Sequence, residues 1–271
     1  MYKRQLQLGD PERLGRLSFA RAVAAGYRGD GDPGPWVEQA RQHFTASDSR
    51  VAFGHLSLAD GAARLVAGDL DGARAGLSAA ADVFRREHDH LGLVLAVSRL
   101  GELAWRRQDI DQFASLHAEL LRLGHESRSP GVITGASARL AVARLRQGAT
   151  EEAQSLAGEA LASTGESFMA VINGYAFQAA GLVNLALGAA EEGRAQLHAA
   201  IDAFVRGTGD LGAGLAAMCW VELSRSFAQT GPEARARAAA ETAVDIARAA
   251  GDPWVIEQAE LQLAAAPSAT P

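Results

Sequence analysis

Lysine is nearly missing from this chain: of 26 cationic side chains, Lys3 is the only lysine and the rest are arginine, a bias that GC-rich coding explains. Cysteine occurs once, at Cys219, so no internal disulfide can form and a reducing, cytoplasmic setting is expected. Aromatic residues make up 6% of the chain, and the β-branched residues are sparse, which disfavours strands. No apolar run approaches the roughly 18 residues needed to cross a bilayer, so no membrane partner is expected. The N-terminus, MYKRQLQLGDPERLG, has no stretch of signal-peptide character. A phosphate-binding G-x-x-x-x-G-K-[ST] loop is missing as well. The net charge of −6 argues against direct nucleic-acid binding by this segment.

Alanine, the strongest helix former, supplies about a fifth of the 271 residues. The stretch Leu140–Leu161 reads as two helices broken at Gly148, with Ala141, Ala153 and Ala160 as close-contact residues and Leu161 filling the core. The same pattern recurs along the chain. First helices end just before Gly68, Gln108, Gly148, Gly188 and Gly231; the first four are 40 apart and the last follows after 43. Seven residues before each stands a small residue: Gly61, Gly101, Ala141, Gly181 and Ser224. Five residues after each come Ala73, Phe113, Ala153, Gly193 and Ala236, and seven further on Ala80, Leu120, Ala160, Ala200 and Ala243. Small residues held in register over five units mark seams where neighbouring helices approach to about 8–10 Å.

The segments outside this register are less regular. Residues 1–9 resemble the tail of a helix before a Gly-Asp turn, which fits a piece of a longer protein as well as a frayed end. Pro11 suits the first turn of a helix, the Gly/Asp/Pro run at 27–35 breaks it, and Trp36–Phe44 forms a second. Ser47 or Asp48 is placed to cap the next helix. Turns at 88–92, 129–131, 207–212 and 251–253 separate the units. The expected organisation is an irregular helix pair over 1–48, five units plus a capping helix over 49–265, and a frayed tail over 266–271.

LGELAWRRQDIDQF and LAVARLRQGATEEAQSLAGEAL resemble tetratricopeptide repeats, which place small residues where Gly101, Ala141, Ala153 and Ala160 stand. That family's usual unit is about 34 residues. The longer unit here, with Gly-Asp between units, is similar to the helical regions of bacterial signal-transduction ATPase regulators of the MalT, LuxR and AfsR kinds. The resemblance covers residues 50–265 well and 6–48 loosely, without the ATPase loop or a following helix-turn-helix. It implies an all-α, right-handed α-solenoid of antiparallel helix pairs, with about 12–13 helices. Asp60 departs from the pattern at a position where an apolar residue is expected, which predicts a distorted first unit.

Several local motifs reduce to turn and helix chemistry. Gly207 to Gly212 matches G-x-G-x-x-G but follows a helix, not a strand. Asp30 and Asp32 lack the ligand set of a calcium loop. His88 and His90 flank Asp89 in a boundary turn that reads as solvated rather than zinc-binding. His117 and His198 fall on second helices, and Cys219 sits in an apolar stretch without a nearby base. Glu151–Glu152 and Glu191–Glu192 complement helix N-termini. No catalytic residue, cofactor or metal is expected.

In the repeat class the first helices line a concave groove. Projected from the register, the partner-binding positions are Ser98, Glu102, Trp105, Arg106, Arg146, Tyr175, Gln178, Arg225 and Gln229, with His55 and Met218 beside them. Arginine mixed with Trp and Tyr is the composition of protein interfaces, and three arginines in one groove suit an acidic peptide segment. The bland alternative is that Trp105 and Tyr175 fill core. Two functions are open: a non-catalytic interaction or ligand-sensing scaffold of a regulator, and a structural spacer or self-association arm.

Overall fold

The computed structural model describes residues 10–28, 34–47, 49–164, 170–207 and 209–267. Residues 1–9, most of the Gly/Asp/Pro breaker with Asp30 and Asp32, and Asp48 lie outside that set. Thirteen helices and no strand occur among the described residues. They are α1 (Pro11–Arg28), α2 (Gly34–Thr45), α3 (Arg50–Val66), α4 (Leu70–Arg86), α5 (His90–Arg106), α6 (Ile110–Ser127), α7 (Pro130–Arg146), α8 (Thr150–Ala162), α9 (Ala170–Ala186), α10 (Ala190–Gly207), α11 (Gly209–Thr230), α12 (Glu233–Ala250) and α13 (Pro253–Ala265). The chain forms two compact units, residues 1–116 and 117–271. In the first, α3 packs on α4 and α4 on α5; in the second, α9 packs on α10, α11 on α12, and each first helix also meets the next one, α7 with α9 and α11 with α13.

From α3 to α10, successive helices start 20 residues apart. Left-handed backbone recurs at Gly68, His88, Gln108, Arg128, Gly148 and Gly188. At each, the amide of the residue after the left-handed one donates to the carbonyl five residues back: Asp69 to Arg64, Asp89 to Phe84, Asp109 to Ala104, Ser129 to Gly124, Ala149 to Arg144 and Ala189 to Asn184, all at 2.9–3.0 Å. That bond satisfies a carbonyl orphaned at the helix end. The 40-residue sequence period is therefore two structurally alike halves. Glycine marks only some of them, because His88, Gln108 and Arg128 adopt positive φ at a cost of about 1–2 kcal/mol each.

In the first unit the residue after this turn also starts the next helix. Asp69, Asp89 and Asp109 accept from the amides of Gly72, Gly92 and Gln112 at 3.0 Å. In the second unit Ser129 and Ala149 stand there without a side-chain cap. The cap of α3 is Ser49, which accepts from Val51 and Ala52, rather than Ser47, which accepts from the Ser49 amide; Asp48 lies outside the described residues.

The register positions are seams. Gly61, Gly101, Ala141, Gly181 and Ser224 are all buried, as are Ala73, Phe113, Ala153, Gly193 and Ala236. A Cβ on Gly181 would stand 2.9 Å from the Gly193 carbonyl oxygen, and one on Gly61 would stand 2.9 Å from the Leu77 amide nitrogen. Ser224 instead turns its hydroxyl into the seam and donates to the Ala236 carbonyl at 2.8 Å. Two expectations are corrected. Asp60 is exposed and pairs with Arg64 at 2.9 Å, so it leaves α3 intact. Leu161 is only half-buried, and Ala160 beside it fills the seam.

Candidate interaction faces

The first unit holds Ser98, Glu102, Trp105 and Arg106 on α5. Ser98 donates to its own helix at the Val94 carbonyl, 2.7 Å. Glu102 accepts from Arg99 at 2.8 Å and from Arg106 at 3.0 Å. The Arg106 side chain is only 8% exposed, so this arginine is a buried partner of Glu102 rather than an open cation. Trp105 lies half-buried with its ring centroid 5.1 Å from that of Phe113 on the following helix, as core filling requires.

His55, projected onto the groove, is instead in the core. It is 3% exposed and its ring is surrounded by Phe19, Phe44 and Phe84, with centroids 4.6–4.8 Å away. Its Nε2 lies 3.3 Å from Asp89 Oδ2, within ion-pair reach but off the line of a hydrogen bond, and its Nδ1 has no partner. Arg16 of α1 reaches past α3 to donate to the same Asp89 oxygen at 2.5 Å. Asp89 is thus a buried carboxylate, not a solvated turn residue. Burial pushes its pKa up; the nearby His55 imidazole, hydrogen bonds from the Gly92 amide and Arg16, and the Arg16 charge outweigh burial and hold the carboxyl well below the ordinary range.

The second unit carries Arg146 on α7, Tyr175 and Gln178 on α9, and Arg225 and Gln229 on α11. Arg225 donates to Glu222 Oε1 at 2.9 Å and to Gln262 of α13 at 3.1 Å. Arg146 Nη2 lies 3.6 Å from the same Glu222 oxygen, so α7 and α11 meet across one face although α9 stands between them in the order of first helices. Arg146 and Arg225 are half-exposed, at 48% and 41%, while Glu222 behind them is 15% exposed. Gln262 donates to Ser224 at 3.0 Å, which ties this face to the α11–α12 seam. Tyr175 packs edge-on against Phe204, with Arg139 stacked 4.9 Å from its ring. Gln178 hydrogen-bonds the Cys219 thiol, whose pKa is pushed far up by burial and by the Glu222 charge. Gln229 is exposed, and Met218 packs on the apolar cluster around Val221, Val244 and Val255.

No family profile matches the sequence, and no characterised protein matches it at a significant level. Solved structures do resemble it. A Rap protein complexed with competence and sporulation factor superposes with a TM-score of 0.65 at 12% identity, over 83% of this chain and 62% of that one. A signal-transduction ATPase with numerous domains and a tetratricopeptide repeat sensor, from Pyrococcus horikoshii, gives 0.57 at 13% identity, over 97% of this chain and 44% of that one. BtubC from P. vanneervenii gives 0.53 at 23% identity, over 73% and 82%. The fold is the tetratricopeptide-type α-solenoid. The chain spans less than two thirds of both the Rap protein and the Pyrococcus ATPase.

Glu222 and Gln262 complete the second-unit face, and sequence projection missed both. Glu222 stands three residues before Arg225, a spacing at which helical side chains meet, and that was the available signal. Among the described residues no three His, Cys, Asp or Glu gather as a metal site would need, and no helix is long and apolar enough to cross a membrane. The Gly207–Gly212 match joins two helices, with Thr208 outside the described residues.

Proposed function

We propose that this chain is a non-catalytic recognition scaffold that holds an acidic segment of a protein or peptide on the first-helix face of its second unit. One observation carries the reading: two half-exposed arginines, Arg146 and Arg225, from helices two repeats apart, converge on a single carboxylate, Glu222. Paired guanidinium groups are suited to carboxylate ligands. Support comes from the fold's use elsewhere: one Rap structure is complexed with competence and sporulation factor and another, from plasmid pLS20, with the Phr* peptide. The positions Ser98, Glu102, Trp105 and Arg106 belong to the proposal only as support for the first unit's helices. We place the chain as the helical region of a bacterial cytoplasmic regulator of the MalT, LuxR or AfsR kind. The 40-residue unit and the likeness to a sensor of a signal-transduction ATPase support that placement.

The test is a binding titration of fluorescein-labelled hexaglutamate, hexalysine and Gly-Ser peptides. Wild type is expected to prefer hexaglutamate, and R146A/R225A to lose at least about tenfold in affinity, or 1.4 kcal/mol. Equal binding by wild type and the double variant ends the proposal.

Self-association is the second reading, favoured by the open side of α13. Pro253, Ile256, Leu261 and Ala264, with Glu257 and Glu260, border an open cavity of about 460 Å³, and Leu261 is 59% exposed. Light scattering decides it: a dimer that Leu261→Glu dissociates supports the arm, and a monomer at all concentrations removes it.

A further inference from the structure

We infer that Glu222 sets the charge selectivity of the second-unit face, by occupying from within the arginine site that an acidic ligand needs. The inference rests on the proposed recognition of an acidic segment and names the residue that limits it.

The geometry gives Glu222 two separable effects. First, it orients Arg225. Its Oε1 accepts from Nη1 at 2.9 Å while Gln262 accepts from Nε at 3.1 Å, so the guanidinium is held on two sides. Gln262 is itself fixed by Ser224 in the seam. Second, Glu222 cancels charge. The same oxygen lies 3.6 Å from Arg146, so one carboxylate is shared between the two cations of the face. Glu222 is the more deeply placed of the three, and an arriving carboxylate meets the guanidinium groups with a like charge directly behind them.

A like charge held beside a binding position discriminates among ligands by what it repels. Glu222 therefore weakens ligands that carry only negative charge and favours segments in which a cation accompanies the acid. The partner class that follows is a mixed-charge segment, an acidic residue flanked by lysine or arginine, rather than a uniformly acidic one.

Glu222→Gln separates the two effects. The amide oxygen still accepts from Arg225, so orientation is kept while the charge is removed. The measurement is fluorescence titration of labelled hexaglutamate, alternating Glu-Lys and Gly-Ser peptides against wild type, E222Q and R146A/R225A, with helicity checked by circular dichroism. E222Q is expected to bind hexaglutamate about tenfold more tightly than wild type, to lose the preference for the alternating peptide, and to leave the Gly-Ser peptide unchanged. If E222Q and wild type bind hexaglutamate equally while R146A/R225A binds less, the face stands and the role given to Glu222 is wrong. Weaker hexaglutamate binding by E222Q also overturns it, since orientation would then outweigh charge. If no peptide binds any of the three proteins, the recognition reading and this inference fall together.

Discussion

The two units each contain an ion pair that skips a helix, and they place it differently. In the first unit Arg16 of α1 reaches Asp89 at the start of α5, and the carboxylate is enclosed with His55 among phenylalanine rings. In the second, Arg146 of α7 reaches Glu222 of α11 on a face that solvent reaches. Asp89 is 7% exposed, caps α5 and faces the buried His55, whereas its partner Arg16 is 43% exposed, so removing Asp89 costs the cap and the buried polar contact more than the ion pair itself. A half-exposed pair adds little stability and leaves its cations accessible to a ligand. The same topological contact thus holds one unit together and leaves the other with a charged face.

The comparison is broken most directly at Asp89. Asp89→Ala removes a cap and the carboxylate that faces buried His55, and should destabilise the first unit by about 2 kcal/mol. Hydrogen exchange should show the loss in α1, α3 and α5. Asp89→Asn keeps the cap and removes the charge. Because the folded carboxyl is held below its unfolded value of about 3.9, its contribution is fully present above about pH 5 and fades as pH falls toward the folded value. The stability gap between wild type and Asp89→Asn should shrink on acidification; a gap that widens contradicts the ion-pair account.

Gly181→Val tests the seam of the second unit. The Cβ would press on the Gly193 carbonyl, which is backbone and has little room to move, so a loss of about 2–3 kcal/mol is expected in urea unfolding. Ala149→Asp gives the second unit the junction cap of the first, and should stabilise it by about 1 kcal/mol. Gln108→Gly relieves a left-handed backbone at an exposed turn, and should raise stability by less than about 1 kcal/mol after the added chain entropy of glycine.

Much of the architecture was legible because small residues are required wherever backbones meet. Gly61, Ala141 and Gly181 could be read at a fixed offset from their turns, and they are buried in the structure. The 20-residue half-period was harder to see. His88, Gln108 and Arg128 take a conformation that sequence rules assign to glycine, and the hydrogen bonds that hold them there come from backbone. Partner atoms of the faces were less legible still. Projection from the register places a Cα on a side of a helix but does not show where a long side chain ends. It put His55 outward, whereas three phenylalanines enclose it, and it chose Arg225 without Glu222.

The most direct test of the contrast between the units is the hexaglutamate binding isotherm of Asp89→Asn measured beside that of Glu222→Gln. The first should match wild type, and the second should be shifted to about tenfold higher affinity. If Glu222→Gln leaves the isotherm in place, or Asp89→Asn moves it as far, the division between a buried, helix-capping carboxylate and a ligand-facing one is contradicted.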